Sequence, residues 1–111
     1  MLSQKHRLSK SADVKKTTAR GRSFFNPFFV LKTVPGVGPA KLTVVASVKV
    51  SKRAVDRNRL KRIIREAVRV QIANFKPGNY AILLKPSAMK ITAAELREQI
   101  NKSLVDSKTL N

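Results

Sequence analysis

The 111-residue chain has no cysteine, no tryptophan, one tyrosine, one histidine and only six acidic residues. The missing thiols exclude disulfide scaffolds, thiolate zinc sites and cysteine nucleophiles. The single histidine, His6, stands near the start, and the acids are scattered at Asp13, Asp56, Glu66, Glu95, Glu98 and Asp106. That spacing supplies no acid–base pair and no metal-binding cluster, so no catalytic residue and no metal ligand is assigned. Long apolar runs are missing too. Nothing approaches the ~18 residues of a membrane span, and the opening MLSQKHRLSK lacks the apolar core of a secretory signal. A basic, acid-free start also suits a transit peptide, but the next segment reads as structured, and a cytoplasmic location is expected.

What the chain has is positive charge. Twenty-four Lys and Arg against six acids leave a formal net charge of +18. Hydrophobic residues make up 42%, enough for one domain with a modest core. Such an imbalance repels itself on folding, so a polyanionic partner is implied, nucleic acid first and an anionic membrane surface second. The charge is densest from Ser51 to Ile72, SKRAVDRNRLKRIIREAVRVQI, which holds eight basic residues and two acids.

Read in order, residues 1–10 form a basic mobile arm, and 11–111 form a single domain. SADVKKTTAR (11–20) predicts a weak short helix that Ser11 could cap and Gly21 could stop; its adjacent threonines need tertiary support. Phe24 and Phe25 stand in a linker or a short strand, and with Phe75 they suit the core better than a stacking platform. FFVLKTV (28–34) reads as a strand, and PGVGPA (35–40) as a hairpin loop. KLTVVASVKV (41–50) alternates with period two, placing Leu42, Val44, Ala46, Val48 and Val50 on one face and Lys41, Thr43, Val45, Ser47 and Lys49 on the other. Residues 55–74 predict a long helix, with Asp56 its cap or first-turn acid. YAILLK (80–85) reads as a central strand, apolar on both sides. The capping box Thr92-Ala93-Ala94-Glu95 opens a last helix, 93–105, with the core stripe Leu96, Ile100 and Leu104, after which the final residues fray. The order α-β-β-α-β-α fits a two-layer α/β sandwich of the α+β class.

At ~100° per residue, Leu60, Ile64, Ala67, Val68 and Gln71 share one side of the long helix, with Ile63 at its margin. Asn58, Lys61, Arg62, Arg65 and Arg69 share the other, with Arg59 at the edge. Arg57 turns toward the apolar side by angle. Lys61–Arg65 and Arg65–Arg69 are like-charge i, i+4 pairs, which Glu66 relieves only partly through Arg62. Arginine outnumbers lysine six to two across Ser51–Ile72. Guanidinium forks match phosphate oxygens and stack on bases.

The run Ala54-Val55-Asp56-Arg57-Asn58-Arg59-Leu60-Lys61-Arg62-Ile63-Ile64-Arg65-Glu66 resembles the signature of the bacterial ribonuclease P protein component. Arg7-Leu8, Asp13 to Gly21, Phe29-Val30-Leu31, Val50-Ser51-Lys52 and Tyr80 to Ala88 extend the resemblance in order along most of the chain. It implies a fold related to a ribosomal-protein fold, with a left-handed β-α-β crossover through the signature helix, against the usual hand. It implies a tRNA-processing ribonucleoprotein in which a catalytic RNA, carrying the Mg²⁺, removes the 5′ leader of precursor tRNA. The protein would be a non-catalytic monomer within that complex, with no membrane partner. By position, Lys52, Arg53, Arg57, Asn58, Arg59, Lys61, Arg62, Arg65 and Arg69 would contact the catalytic RNA, Asn58 alternatively bracing the helix start.

Two departures stand out. The segment before Arg57 is shorter than the family's and lacks its glycine. The leader cleft, aromatic in relatives, here carries Val14, Thr18 and Lys32. Lys32 and Lys49, on an open sheet face beside Phe28 and Val30, are expected to hold leader phosphates; the alternative leaves Phe28 and Val30 buried and the lysines solvated. The competing functions are a ribosomal or general RNA-binding structural protein and a membrane-surface or nucleoid-type polyanion binder.

Overall fold

The strand that reads as apolar on both sides takes the position that pattern demands. In the computed structural model, which describes residues 4–107 and 109, the elements run α1 (Ser11–Arg20), β1 (Arg22–Phe25), β2 (Phe29–Pro35), β3 (Lys41–Val45), α2 (Ala54–Arg69), β4 (Gly78–Leu84) and α3 (Ala93–Asp106). The sheet order is β1-β2-β4-β3. β4 pairs antiparallel with β2 and parallel with β3, so β3-α2-β4 is a crossover and 35–40 is not a hairpin loop. A strand apolar on both faces must lie inside the sheet, and β4 therefore separates β2 from β3. The Phe24–Phe25 segment is a true strand, making the order α-β-β-β-α-β-α.

One sheet face is the core. Phe29 and Leu31 of β2, Tyr80, Ile82 and Leu84 of β4, and Leu42 and Val44 of β3 meet Leu60, Ile63, Ile64, Ala67 and Val68 of α2 and the Leu96–Ile100–Leu104 stripe of α3. Phe75 is buried there and packs edge-on against Tyr80, whose hydroxyl donates to the Lys76 carbonyl and whose phenol pKa burial pushes up. Thr92 caps α3 as its sequence predicts, accepting from the Glu95 N–H at 3.1 Å.

The short α1 lies on the other face. Its one buried residue, Thr17, and Ala81 of β4 are fully buried yet stand outside the core cluster. Thr17 satisfies its hydroxyl by donating to the Asp13 carbonyl at 2.8 Å, so tertiary contact holds a helix of weak propensity. The N-cap is Lys10 rather than Ser11, without a side-chain bond. Gly21 ends the helix by its N–H donating to the Thr17 carbonyl, and a Cβ there would lie 2.3 Å from that oxygen.

The arm is not free over its described length. Leu8 is buried and its N–H donates to the Leu42 carbonyl at 2.9 Å, Arg7 bridges Leu42, and His6 Nδ1 donates to the Ala40 carbonyl at 2.8 Å. These bonds cover the exposed edge of β3. Residues 1–3 of the arm, and 108, 110 and 111 of the expected frayed end, lie outside the described residues.

Candidate RNA interface

Burying the α2 stripe against sheet and α3 forces the opposite face outward. Asn58, Arg59, Arg62, Arg65 and Arg69 are exposed, and Lys61 is half-buried. Glu66 does not serve Arg62: its carboxylate accepts from Arg69 Nε at 3.2 Å. Asn58, Arg59, Arg62 and Arg65 have no hydrogen-bond or ion-pair partner among the described residues. Four adjacent donor groups with nothing to satisfy them but water form a surface built for an anion. The helix carries this face over 16 residues, about 24 Å at ~1.5 Å per residue. It stops at Arg69, short of the expected Asn74. Gln71, half-buried, donates to Asn101 of α3 and to the Ala67 carbonyl, and a 3₁₀ turn over Ile72–Asn74 follows.

The short lead-in to α2 is knotted. Arg53 is the N-cap, without a side-chain cap bond, and Asp56 is the first-turn acid. Ser51 Oγ donates to Asp56 at 3.1 Å and accepts from the Arg53 N–H at 3.2 Å. Arg53 Nε lies 3.8 Å from the same carboxylate. Arg57 is half-buried and reaches back, Nη1 donating to the Ser51 carbonyl at 2.8 Å. Arg57, expected to contact RNA, thus uses part of its fork on its own backbone, while Lys52 and Arg53 stay exposed. Asn58 is exposed and does not brace the helix start. No spacing rule marks Arg57 as the brace, because the bond depends on the fold-back of Ser51.

The expected cleft is partly reassembled. Val30 and Lys32 pair with Leu83 and Ala81 on the α1 side of the sheet. Val14 and Thr18 flank buried Thr17 and are half-buried, and Lys32 lies close under Gly21. Two residues leave this set. β3 ends at Val45, so Lys49 stands exposed in the turn that follows, its N–H on Ser47 Oγ, and Val48 is 66% exposed. Phe28 precedes β2 and packs against the core. Phe24 also packs there, but Phe25, expected in the core, is 79% exposed.

No helix among the described residues is long and apolar enough to cross a membrane. The ribonuclease P family model matches residues 2–108. The ribonuclease P protein component of Staphylococcus carnosus is 32% identical over 108 residues, 96% of this chain and 93% of that one. That of Xylella fastidiosa (strain Temecula1) is 36% identical over 77 residues, 69% of this chain. The match spans 57% of the length of that relative and 53% of one from Xanthomonas campestris. The structure of Staphylococcus aureus RNase P protein superposes with a TM-score of 0.88 at 26% identity, covering 96% of this chain and 98% of that one. The RNase P protein from Thermotoga maritima, at 24% identity and a TM-score of 0.75, shares the fold. With a match along nearly its whole length, a shared fold and an outward Arg face on the helix that carries the signature, this chain belongs to the ribonuclease P protein component family.

Proposed function

We propose that the chain is the protein subunit of a cytoplasmic ribonucleoprotein endoribonuclease that removes the 5′ leader of precursor tRNA. In this reading the RNA subunit, with its Mg²⁺, performs the hydrolysis, and one protein copy docks and positions RNA. The observation that carries it is the partnerless cationic face of α2, Arg59, Arg62 and Arg65 with Asn58 beside them. With Lys52, Arg53, Lys61 and Arg69 this face takes the catalytic RNA, neutralising phosphates that would otherwise repel the second RNA. Val14, Thr18, Val30 and Lys32, where α1 meets the sheet, take the leader. The membrane-surface reading loses support because the apolar side of α2 is spent in the core.

The test is to add the purified protein to the catalytic RNA and precursor tRNA at low Mg²⁺. Leader cleavage should rise well above that of the RNA alone. Absence of stimulation, with co-purification on ribosomes at high salt, would reject the processing role for a ribosomal one.

A further inference from the structure

Phe25 ends β1, the edge strand, and is the most exposed aromatic ring among the described residues, at 79%. Beside it, between the Asn26–Pro27 turn and α3, lies a cavity of about 410 Å³ lined by Phe24, Phe25, Phe28, Gln99, Lys102 and Asp106. The turn that shapes it is tightly held. Asn26 is buried, its side-chain oxygen accepts from the Phe28 N–H, its amide donates to Gln99, and Ser87 Oγ donates to the Pro27 carbonyl. Gln99 spends its amide oxygen on Asn26, and its own NH₂ has no partner among the described residues. Nothing in the cleft or the α2 face uses these residues.

An exposed aromatic beside aromatic walls, an unspent amide donor and a lysine match the needs of an unpaired nucleotide: a π-face to stack on, a donor for the base edge and a cation for the phosphate. Lys102 and Asp106, both exposed, balance each other in the lining, so the positive bias toward RNA comes from the chain's net +18. We propose that Phe25 and the β1–α3 cavity form a stacking site for one unpaired RNA base, apart from the α2 face and at the sheet edge beside Val30 of the α1 cleft. It rests on the RNA-binding reading above and deepens it.

The chain has no tryptophan, so Phe25→Trp places a single reporter at the site. Its emission should be quenched by a short single-stranded oligoadenylate and not by inorganic polyphosphate, which has charge without bases. Phe25→Ala should lower affinity for the single strand about 5- to 150-fold while leaving the salt slope unchanged, because the ring neutralises no phosphate. Far-UV circular dichroism of both variants checks that they fold. RNA binding without quenching, or an unchanged Phe25→Ala affinity, overturns this site and leaves the RNA-binding reading standing. Equal quenching by polyphosphate, or an emission shift that follows protein concentration alone, overturns it in favour of a charge effect or self-association. Failure to bind any RNA overturns both readings.

Discussion

At the scale of single residues, arginines that are equivalent in the sequence divide into two kinds. Arg65 projects from the fourth turn of α2 with no partner, whereas Arg57 turns back to the Ser51 carbonyl and closes the lead-in. The distinction makes a two-sided prediction. Arg57→Ala should lower unfolding free energy by about 1.5 kcal/mol, the low end of the range for a hydrogen bond from a charged group. Arg65→Ala should leave it within about 0.5 kcal/mol and instead reduce the slope of log affinity against log salt by about 1. Urea titrations and salt-dependent RNA binding measure the two; a stability loss for Arg65→Ala matching that of Arg57→Ala would mean the fork of Arg57 is not a brace. Phe25 teaches the same lesson for aromatics. Phe24 and Phe25 are adjacent in a strand, so only one can face the core, and the register gives that place to Phe24.

At the scale of elements, boundaries moved where a neighbour intervened. The alternation through 41–50 gives no internal reason to stop, yet β3 ends at Val45, after five residues paired with β4. The chain then has to leave the sheet to reach α2, and Val50 is buried after a turn closed by its N–H on the Ser47 carbonyl. α1 shows the converse, an element of poor propensity fixed by its seat. Its C-terminal end approaches β2 so closely that a Cβ on Gly21 would meet Lys32 Cβ at 3.1 Å as well as the Thr17 carbonyl. Gly21→Ala should therefore shift the last turn of α1 and cost about 1–3 kcal/mol in a urea titration, as overpacking does. In the proposed function α1 walls the leader cleft, so the same variant should weaken binding of leader-bearing precursor tRNA more than that of leaderless tRNA.

At the scale of the molecule, charge sets two opposing responses to salt. The isolated protein holds +18 over 111 residues, and the ion pairs Arg53–Asp56 and Arg69–Glu66 offset little of it. Screening weakens that repulsion as the Debye length falls to about 8 Å at physiological ionic strength. The midpoint of thermal unfolding of the free protein should accordingly rise with added salt. RNA affinity should fall instead, on the order of 10³-fold between about 50 and 200 mM salt if six phosphates are neutralised. A free protein whose unfolding midpoint drops with salt would show that local pairing outweighs the net charge.

The sequence by itself determined the family, the two long helices and the central place of one strand. These properties are local: a capping box, a 3.6-residue apolar stripe, a two-sided apolar run and an excess of one sign of charge act through neighbouring residues, and the signature lies within one helix. Only the tertiary structure decided which side chains on that helix are free. The pairing of β4 between β2 and β3, the early end of β3 and the return of Arg57 to Ser51 join residues whose contacts depend on where the chain has been led. It is that route which leaves Lys49 outside the sheet, binds residues 6–8 to its edge and exposes Phe25 at the other.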